Sequence, residues 1–371
     1  MVACALYSCQ QSYRTEMGSR FAKQACPDIN FLETEVGHDL PKCVIVALHG
    51  LNMDASEMDE ITKAAKEELG ENIEIMQPKC REGWVSVRLS IDKQAKKVVE
   101  EIKEALRDRY PQYSEEEHSA IPINLFGYSQ GGLVACILAA KYRDILNIST
   151  IICALTPLNG TQIFENNKSN LDKFNKKAAP GLQAIGHPKT SLIQPKILGT
   201  ILNTPVIKTA SHAVFQGIRD MCKGSKCIAD VTTFIRNDKH DTPIPILLIG
   251  SSIPNLAEYF AYDEQKDQAK VDALTTALSE LITGRTYGEH DFLIDTGSQL
   301  CRGTSFENLA TSKDDAVYHS NVEIHIAEGL FHCCNFTAIL SDFEVHYNCK
   351  SVFDSKETIA VMMQFLKQHN G

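Results

Sequence analysis

A chain of 371 residues, 43% of them hydrophobic, is long enough to bury a large core, as one α/β domain or as a core with a cap. Its formal net charge of −10, without a long basic run, argues against binding to nucleic acid or to an anionic membrane surface. No apolar run reaches the roughly 18 residues that a membrane-spanning helix needs, so we expect no transmembrane segment.

The first forty residues are polar and mixed, and residues 1–40 are predicted to form an extension outside the core. The start of the chain lacks an early positive charge, and Ser8 interrupts its apolar part, so no signal peptide is predicted. We therefore expect a soluble protein, and the sequence leaves its compartment open.

The thirteen cysteines follow no disulfide framework. Cys222 and Cys227 flank a short turn and would form a disulfide in an oxidising compartment. Cys333 and Cys334 lie beside a histidine, but no spacing offers the third and fourth ligands of a zinc site. The sequence therefore predicts no metal.

The first core strand is predicted within 42–48, where a continuous apolar run is typical of a strand buried on both faces. The run leads into His49-Gly50-Leu51. Serine hydrolases built on such sheets place one oxyanion donor in the loop after this strand, and the N–H of Leu51 is our candidate. The alternative is a plain strand exit with a surface His49.

Helices and strands alternate beyond this loop. Apolar residues recur at helical spacing over 54–69, a strand is predicted over 73–76, and an amphipathic helix over 90–107. This order predicts an α/β fold with a mostly parallel sheet and helices on both of its faces.

The most informative stretch is 121–142, where an apolar strand, the turn Gly127-Tyr128-Ser129-Gln130-Gly131 and an apolar helix follow one another. This context is that of a nucleophile elbow, in which small residues two before and two after the serine let strand and helix approach. The helix directs its free N–H groups at a developing oxyanion. Ser129 is therefore the predicted nucleophile and the N–H of Gln130 the second oxyanion donor; the alternative is a glycine-rich turn without chemistry.

Three segments together resemble α/β-hydrolases of the lipase and palmitoyl thioesterase type: ALHGLN (47–52), LFGYSQGGLVA (125–135) and ICALTPLNGT (152–161). The resemblance implies the α/β-hydrolase fold with an inserted cap or lid. We predict core segments at 41–161 and 241–371 and the cap at 162–240, where short apolar pieces lie among polar residues. A helical subdomain that only shields the core is the alternative.

The resemblance also indicates the acid. The stretch 287–294 is similar to the lipase segment in which an aspartate orients the catalytic histidine, although Phe292 stands where the family has glycine. Asp291 is predicted to be that aspartate, because its apolar neighbours suit a buried carboxylate. Asp295 is the rival, and an aspartate that merely caps a loop is the structural alternative.

The histidine is expected last in the chain. His332 lies in the loop beyond the strand predicted over 322–327 and matches the family's ending of a strand followed by Gly-x-x-His. His325 would lie within that strand, and His319 precedes it. We predict His332 and keep the other two as alternatives.

The sequence thus predicts a serine hydrolase that cleaves acyl esters through an acyl-enzyme, with Ser129, His332 and Asp291 as its triad. The resemblance implies a lipid or other acyl ester as substrate, transient contact with a lipid interface, and no metal or organic cofactor. A protein-acyl thioesterase is the nearest alternative. A catalytically silent binding protein with the same fold is the alternative from another class.

Overall fold

The computed structural model describes residues 39–164, 168–185, 215–237, 240, 242–253, 255–260, 262–302, 321–332 and 350–369. Nearly all of the predicted N-terminal extension lies outside these residues. So do the middle of the predicted cap, His319 and the Cys333-Cys334 pair.

Six parallel strands form the central sheet, in the order β2-β1-β3-β4-β5-β6. They are β1 (Cys43–Leu48), β2 (Ile73–Met76), β3 (Ile123–Tyr128), β4 (Ile148–Ala154), β5 (Ile246–Ser252) and β6 (Val322–Glu328). A separate short parallel pair consists of β7 (Leu330–Phe331) and β8 (Lys350–Ser351). The strand order reverses between β1 and β3, and ligands of open α/β sheets bind at the carboxyl ends of strands at such a point.

The α-helices of the described residues are α1 (Asp59–Leu69), α2 (Trp84–Arg88), α3 (Ile91–Arg109), α4 (Glu115–Ala120), α5 (Gln130–Tyr142), α6 (Lys168–Ile185), α7 (Gln216–Asp220), α8 (Lys226–Asn237), α9 (Glu264–Thr283), α10 (Thr296–Gln299) and α11 (Lys356–His369). Short 3₁₀ helices lie at Ala55–Met58 and Leu256–Glu258. The helix predicted from residue 54 therefore begins as a 3₁₀ turn. In both α3 and α4 a serine caps the first turn, which agrees with the usual chemistry of a helix start.

Helices cover both faces of the sheet. One core cluster combines β1, β3 and β4 with α3, α5 and α8, and a second combines the opposite faces of these strands with α1 and α11. Every residue of β1 and β3 is buried, as expected for strands covered on both sides. The predicted fold class is confirmed: the parallel order and the two helical layers are those of an α/β-hydrolase.

The described part of 162–240 is helical. Helix α6 packs against α9, and the two helices share a third apolar cluster that includes Phe174, Ala178, Val271 and Leu274. Helix α8 contributes Val231 and other residues to the first core cluster instead. The division into core and cap stays a prediction. Among the described residues, no helix has both the length and the apolar character needed to cross a bilayer.

Candidate active site

A strained turn joins β3 to α5 and presents Ser129 at the carboxyl edge of the sheet. Its backbone has φ 53° and ψ −121°, a region that residues with a side chain rarely adopt. Such a conformation costs on the order of 1–3 kcal/mol and persists only where the surroundings enforce it. The N–H of Ser129 donates to the carbonyl of Ala154 at 2.9 Å, so the neighbouring strand end helps to hold the turn.

Two glycines make the turn possible by close approach. A Cβ on Gly127 would lie 2.5 Å from the backbone of Gly132, and a Cβ on Gly131 would lie 2.0 Å from the carbonyl oxygen of Leu48. Both distances are shorter than any real contact of that kind. The small residues two before and two after Ser129 are therefore required by the backbone around them.

Ser129, His332 and Asp291 are joined by hydrogen bonds although they are far apart in the chain. His332 Nε2 lies 2.8 Å from Ser129 Oγ, and His332 Nδ1 lies 2.6 Å from Asp291 Oδ2. A carboxylate only accepts, so Nδ1 carries the ring proton and Nε2 is left to accept from the serine hydroxyl. All three residues are buried, with exposed fractions of 4%, 6% and 0% respectively.

The loop after residue 290 fixes Asp291 and His332 to each other. Asp291 Oδ1 accepts from the N–H groups of Leu293 (2.9 Å) and Ile294 (2.7 Å), which leaves Oδ2 for the imidazole. The N–H of His332 donates to the Asp291 carbonyl at 3.0 Å. Tyr128, directly before the serine, stacks on the His332 ring with centroids 5.4 Å apart. Rotation of the imidazole is thus restricted from two sides.

The rival residues have other partners or positions. Asp295 accepts from Arg285 Nη2 at 3.0 Å and from the N–H of Gly297 at 2.7 Å, where it caps α10. His325 lies within β6, paired with Ile249 of β5. His319 lies outside the described residues. Of the predicted acids and histidines that the structure describes, His332 is hydrogen-bonded to Ser129 and Asp291 is hydrogen-bonded to His332.

The third motif of the resemblance holds the acid loop in place. Thr161, at its end, donates from its hydroxyl to the carbonyl of Leu293 at 3.3 Å, two residues from Asp291. Its backbone N–H donates to the carbonyl of Met221 at 2.8 Å. The segment after β4 therefore connects the loop of Asp291 with the chain leading into α8.

The loop after β1 lies directly against the elbow. A Cβ on Gly50 would be 3.5 Å from the Cβ of Ser129. Leu51 follows Gly50, and Gln130 is the first residue of α5, so its N–H has no acceptor within the helix. Within the described part of the chain, neither the N–H of Leu51 nor that of Gln130 donates to another backbone carbonyl outside the helices and strands. Gln130 thus follows the serine directly, and the loop that carries Leu51 lies against the serine.

Two buried residues, His49 and Arg81, support this loop. The sequence predicts no role for Arg81 and, as an alternative, a surface position for His49. His49 is fully buried, and its Nδ1 lies 2.8 Å from the Gly50 carbonyl. Burial, and next the charge of Arg81, lower the pKa of His49 to about 3, so its ring is neutral at pH 7. Nδ1 is then the protonated nitrogen, because a carbonyl can only accept.

Arg81 is the second of these residues and has no exposed surface. Its guanidinium donates to the His49 carbonyl (2.6 Å), to Gln94 Oε1 (3.1 Å) and to Gln130 Oε1 (3.1 Å). Burial lowers the pKa of Arg81 to about 10, which still leaves it charged at neutral pH. A single arginine in a loop forms no sequence pattern that would predict its burial. The one available signal is Gln94, a polar residue on the inner face of α3, which indicates a buried polar partner.

The cysteines of the described residues are free thiols. They include Cys222 and Cys227, for which the sequence analysis considered a disulfide. Burial raises the pKa of the Cys227 thiol well above its ordinary value, which makes it unreactive. No cluster of three or more metal-ligating side chains occurs among the residues that the structure describes.

Residues 44–200, less than half of the chain, match the family model described as palmitoyl protein thioesterase. Over this stretch the chain resembles the palmitoyl protein thioesterases. The resemblance predicted from the three motifs is confirmed, and together with the fold it supports a hydrolase of ester or thioester substrates. No curated protein sequence matches the chain significantly.

The solved structures to which the chain is similar have low sequence identity to it. A monoacylglycerol lipase from Paleococcus ferrophilus is 12% identical, with 88% of this chain and 94% of that chain covered and a TM-score of 0.39. A carboxyl esterase from Bacillus coagulans is 14% identical (90% and 92% covered, TM-score 0.38). A phospholipase from Legionella pneumophila is 10% identical (88% and 62% covered, TM-score 0.45).

Proposed function

We propose that this protein is a serine hydrolase that cleaves acyl esters, with lipids as its substrate class, through a covalent acyl-enzyme. The observation that carries the proposal is the pair of hydrogen bonds that joins Ser129, His332 and Asp291, at 2.8 and 2.6 Å. A hydroxyl, an imidazole and a buried carboxylate in this order are the requirements for activating a serine.

In the proposed reaction Ser129 Oγ attacks the substrate carbonyl while His332 Nε2 takes its proton. The N–H groups of Leu51 and Gln130 stabilise the oxyanion, an effect of about 3 kcal/mol per donor. When the tetrahedral intermediate collapses, His332 returns the proton to the leaving alcohol and the acyl group stays on Ser129. A water molecule then repeats the two steps and releases the fatty acid. Asp291 stabilises the imidazolium in both halves and remains ionised.

Two further features belong to this proposal. The insertion 162–240 would act as a cap that excludes water from the acyl group, since hydrolysis of a lipid ester requires a water-poor acyl site. Transient contact with a lipid interface would deliver the substrate. No metal or organic cofactor takes part in these steps.

A second candidate is a protein-acyl thioesterase. The match of residues 44–200 to the palmitoyl protein thioesterase model favours it. The same residues would act in the same roles, with a thiol as the leaving group. A thiol is a better leaving group than an alcohol, so an enzyme of this kind is expected to prefer thioesters over esters of equal acyl length.

The silent binding protein makes the opposite prediction. All three residue types are present and in contact, which favours catalysis over an elbow retained only for its fold. A fluorophosphonate probe separates the two, because it reacts only with an activated serine. Labelling of the wild type that disappears in Ser129→Ala supports the enzyme, and a folded wild type that resists labelling supports the binding protein.

The substrate class is tested with a panel of p-nitrophenyl esters of graded acyl length, alongside an acyl-CoA and an S-palmitoylated peptide. The panel is run on the wild type, Ser129→Ala, His332→Ala and Asp291→Ala. We expect kcat/KM to rise with acyl length and all three variants to lose turnover. A rate on thioesters that exceeds that on esters of the same chain selects the thioesterase, and a wild type without turnover of any substrate contradicts the proposal.

A further inference from the structure

Arg81 is a buried cation whose direct hydrogen-bond acceptors are all neutral. It has no exposed surface, and none of the ion pairs among the described residues involves it. Its three hydrogen-bond acceptors are one backbone carbonyl and two side-chain amides. Neutral acceptors offset the loss of water only in part, and burial lowers the pKa of Arg81 by more than the charge of Glu57 raises it, so this guanidinium is costly to bury. A charge retained at such a cost points to a role beyond stability.

The acceptors of Arg81 lie on the two elements that carry the proposed oxyanion donors. One Nη donates to the carbonyl of His49, two residues before Leu51, and the other donates to the side chain of Gln130. Gln130 itself is held on its other side, because its Nε2 donates to the carbonyl of Ser86 at 3.1 Å. A single guanidinium therefore bridges the loop after β1 and the first residue of α5.

The same network fixes the orientation of the Leu51 N–H. In a trans peptide the C=O and N–H groups point in opposite directions. His49 Nδ1 holds the Gly50 carbonyl at 2.8 Å, and the Gly50 N–H donates to Glu57 Oε2 at 3.0 Å. The Leu51 N–H, in the peptide of the Gly50 carbonyl, is thereby aimed away from the His49 ring. Arg81 anchors the peptide just before it.

We propose that Arg81 is the positioning residue of the oxyanion hole: it clamps the Leu51 loop to the Gln130 end of α5 and adds a positive charge behind both donors. This inference rests on the proposed function and adds a residue to its machinery. Arg81 does not contact the substrate. Its effect is expected in the transition state, where the oxyanion carries charge, and not in the binding of the neutral ester.

The test compares Arg81→Met with Arg81→Lys and with Arg88→Met, an exposed arginine seven residues further along the chain that serves as the control. Active enzyme is first counted by fluorophosphonate titration, so that a loss of folded protein is not read as a loss of rate. The measurements are kcat and KM for a p-nitrophenyl ester, and the Ki of an alkyl boronic acid. The boronate forms a tetrahedral anion on Ser129 and so reports on the oxyanion hole.

For Arg81→Met we expect kcat per active site to fall about 100-fold, with KM within about twofold and the boronate Ki raised about 100-fold, the range seen when an oxyanion donor is removed. Arg81→Lys keeps the charge, so its kcat should be about tenfold higher and its boronate Ki about tenfold lower than those of Arg81→Met. Arg88→Met should match the wild type.

Unchanged kcat and boronate Ki in Arg81→Met would overturn the inference, and so would losses that vanish once active sites are counted. If Arg81→Met does not fold, Arg81→Lys and Gln94→Met decide in its place. Each removes part of the clamp without touching the donors, and both must weaken boronate binding at least threefold. A wild type that neither hydrolyses esters nor reacts with the fluorophosphonate refutes the proposed function itself, whereas an active wild type beside an unaffected Arg81→Met refutes only the role of Arg81.

Discussion

The two sides of Ser129 are built in different ways. On one side, the hydroxyl meets a chain of side chains, His332 and then Asp291, which ends in a buried negative charge. On the other side lie backbone N–H groups, held by a network that ends in the buried positive charge of Arg81. Ser129 is thus linked to a buried carboxylate through His332, and the residue after it, Gln130, is hydrogen-bonded to a buried guanidinium.

We call the side that ends in Asp291 the negative side and the side that ends in Arg81 the positive side, and the difference between them indicates different roles. In the proposed reaction the side of Asp291 stabilises the positive charge that forms on the imidazole. The role proposed for the side of Arg81 is to stabilise the negative charge that forms on the substrate oxygen. Both charges exist only during the reaction. A change on either side should therefore reduce kcat more than substrate binding, and a change to Ser129 itself should remove both effects.

The largest effect is expected for Ser129→Ala, which removes the atom that both sides serve. We predict that kcat on a p-nitrophenyl ester falls by about 10⁶, with His332→Ala close to it because the two act as one unit. The double variant should be no slower than either single variant. If the losses in kcat of the two single variants multiply in the double variant, the two residues act independently.

Asp291→Asn tests the negative side with its geometry nearly preserved. An amide at this position favours the wrong imidazole tautomer, and we expect kcat to fall by on the order of 10⁴. The matched control is Asp295→Asn, four residues away and also buried. It loses its ion pair with Arg285 and should affect the free energy of unfolding more than kcat. Equal loss of kcat in the two variants would show that Asp291 has no specific role in orienting His332.

Gly131→Ala tests the positive side, where the elbow helix touches the oxyanion loop. The added methyl would lie 2.0 Å from the Leu48 carbonyl oxygen and 2.7 Å from that of His49. We expect a loss of about 3 kcal/mol in the free energy of unfolding and a lower kcat in the protein that still folds.

Gly224→Ala is the control for this prediction. Gly224 has φ +74° and no atom within 4 Å of an added Cβ. It should lose only about 1 kcal/mol, the cost of the left-handed backbone for alanine. Chemical denaturation measures both variants, and similar losses in the two would contradict the close approach at Gly131.

The smallest predicted effect per residue concerns pH, because each side contains a buried neutral histidine. Burial lowers the pKa of His49 to about 3 and that of His290, beside Asp291, to about 4, from an ordinary value of 6.5. Between these values the unfolded chain binds protons that the folded chain does not, so the folded state is favoured at neutral pH and loses stability as the pH falls below about 6.5. We expect a loss of about 2 kcal/mol per histidine between pH 6.5 and pH 5.

Urea denaturation at pH 7, 6 and 5 measures the slope of the free energy of unfolding against pH. Replacing His290 with Gln should reduce it by about half, since one of the two titrating groups is then absent. A slope that is unchanged in His290→Gln would show that this ring is not the neutral buried group described above.

The sequence revealed the negative side of the site more completely than the positive side. Ser129 follows β3 and His332 follows β6 and β7, so strand ends and chain order select these two residues. Asp291 lies beyond α9, and the resemblance of 287–294 to the lipase segment indicated it. Most of the sheet was readable because β1, β3 and β5 are largely apolar runs. Asp295 stayed a rival because only the fold reveals that Arg285 holds it.

The positive side depends on contacts that no local pattern encodes. One interpretation of the sequence predicts a surface position for His49, and Arg81 belongs to no sequence pattern. The packing of α2, α3 and α5 decides that a charged side chain is buried between them. The packing of α6 on α9 is likewise a tertiary contact that no local pattern encodes.

The central claim is that Ser129 becomes acylated during turnover. The most direct measurement is intact-protein mass spectrometry after rapid acid quench of the enzyme with a p-nitrophenyl ester, followed by digestion to locate the adduct. We predict one acyl group per protein, carried by the peptide that contains Ser129, with more of it accumulating in Asp291→Asn when deacylation is slowed and none in Ser129→Ala. Ester hydrolysis by Ser129→Ala at the wild-type rate, or an acyl group found on another residue, would contradict the account.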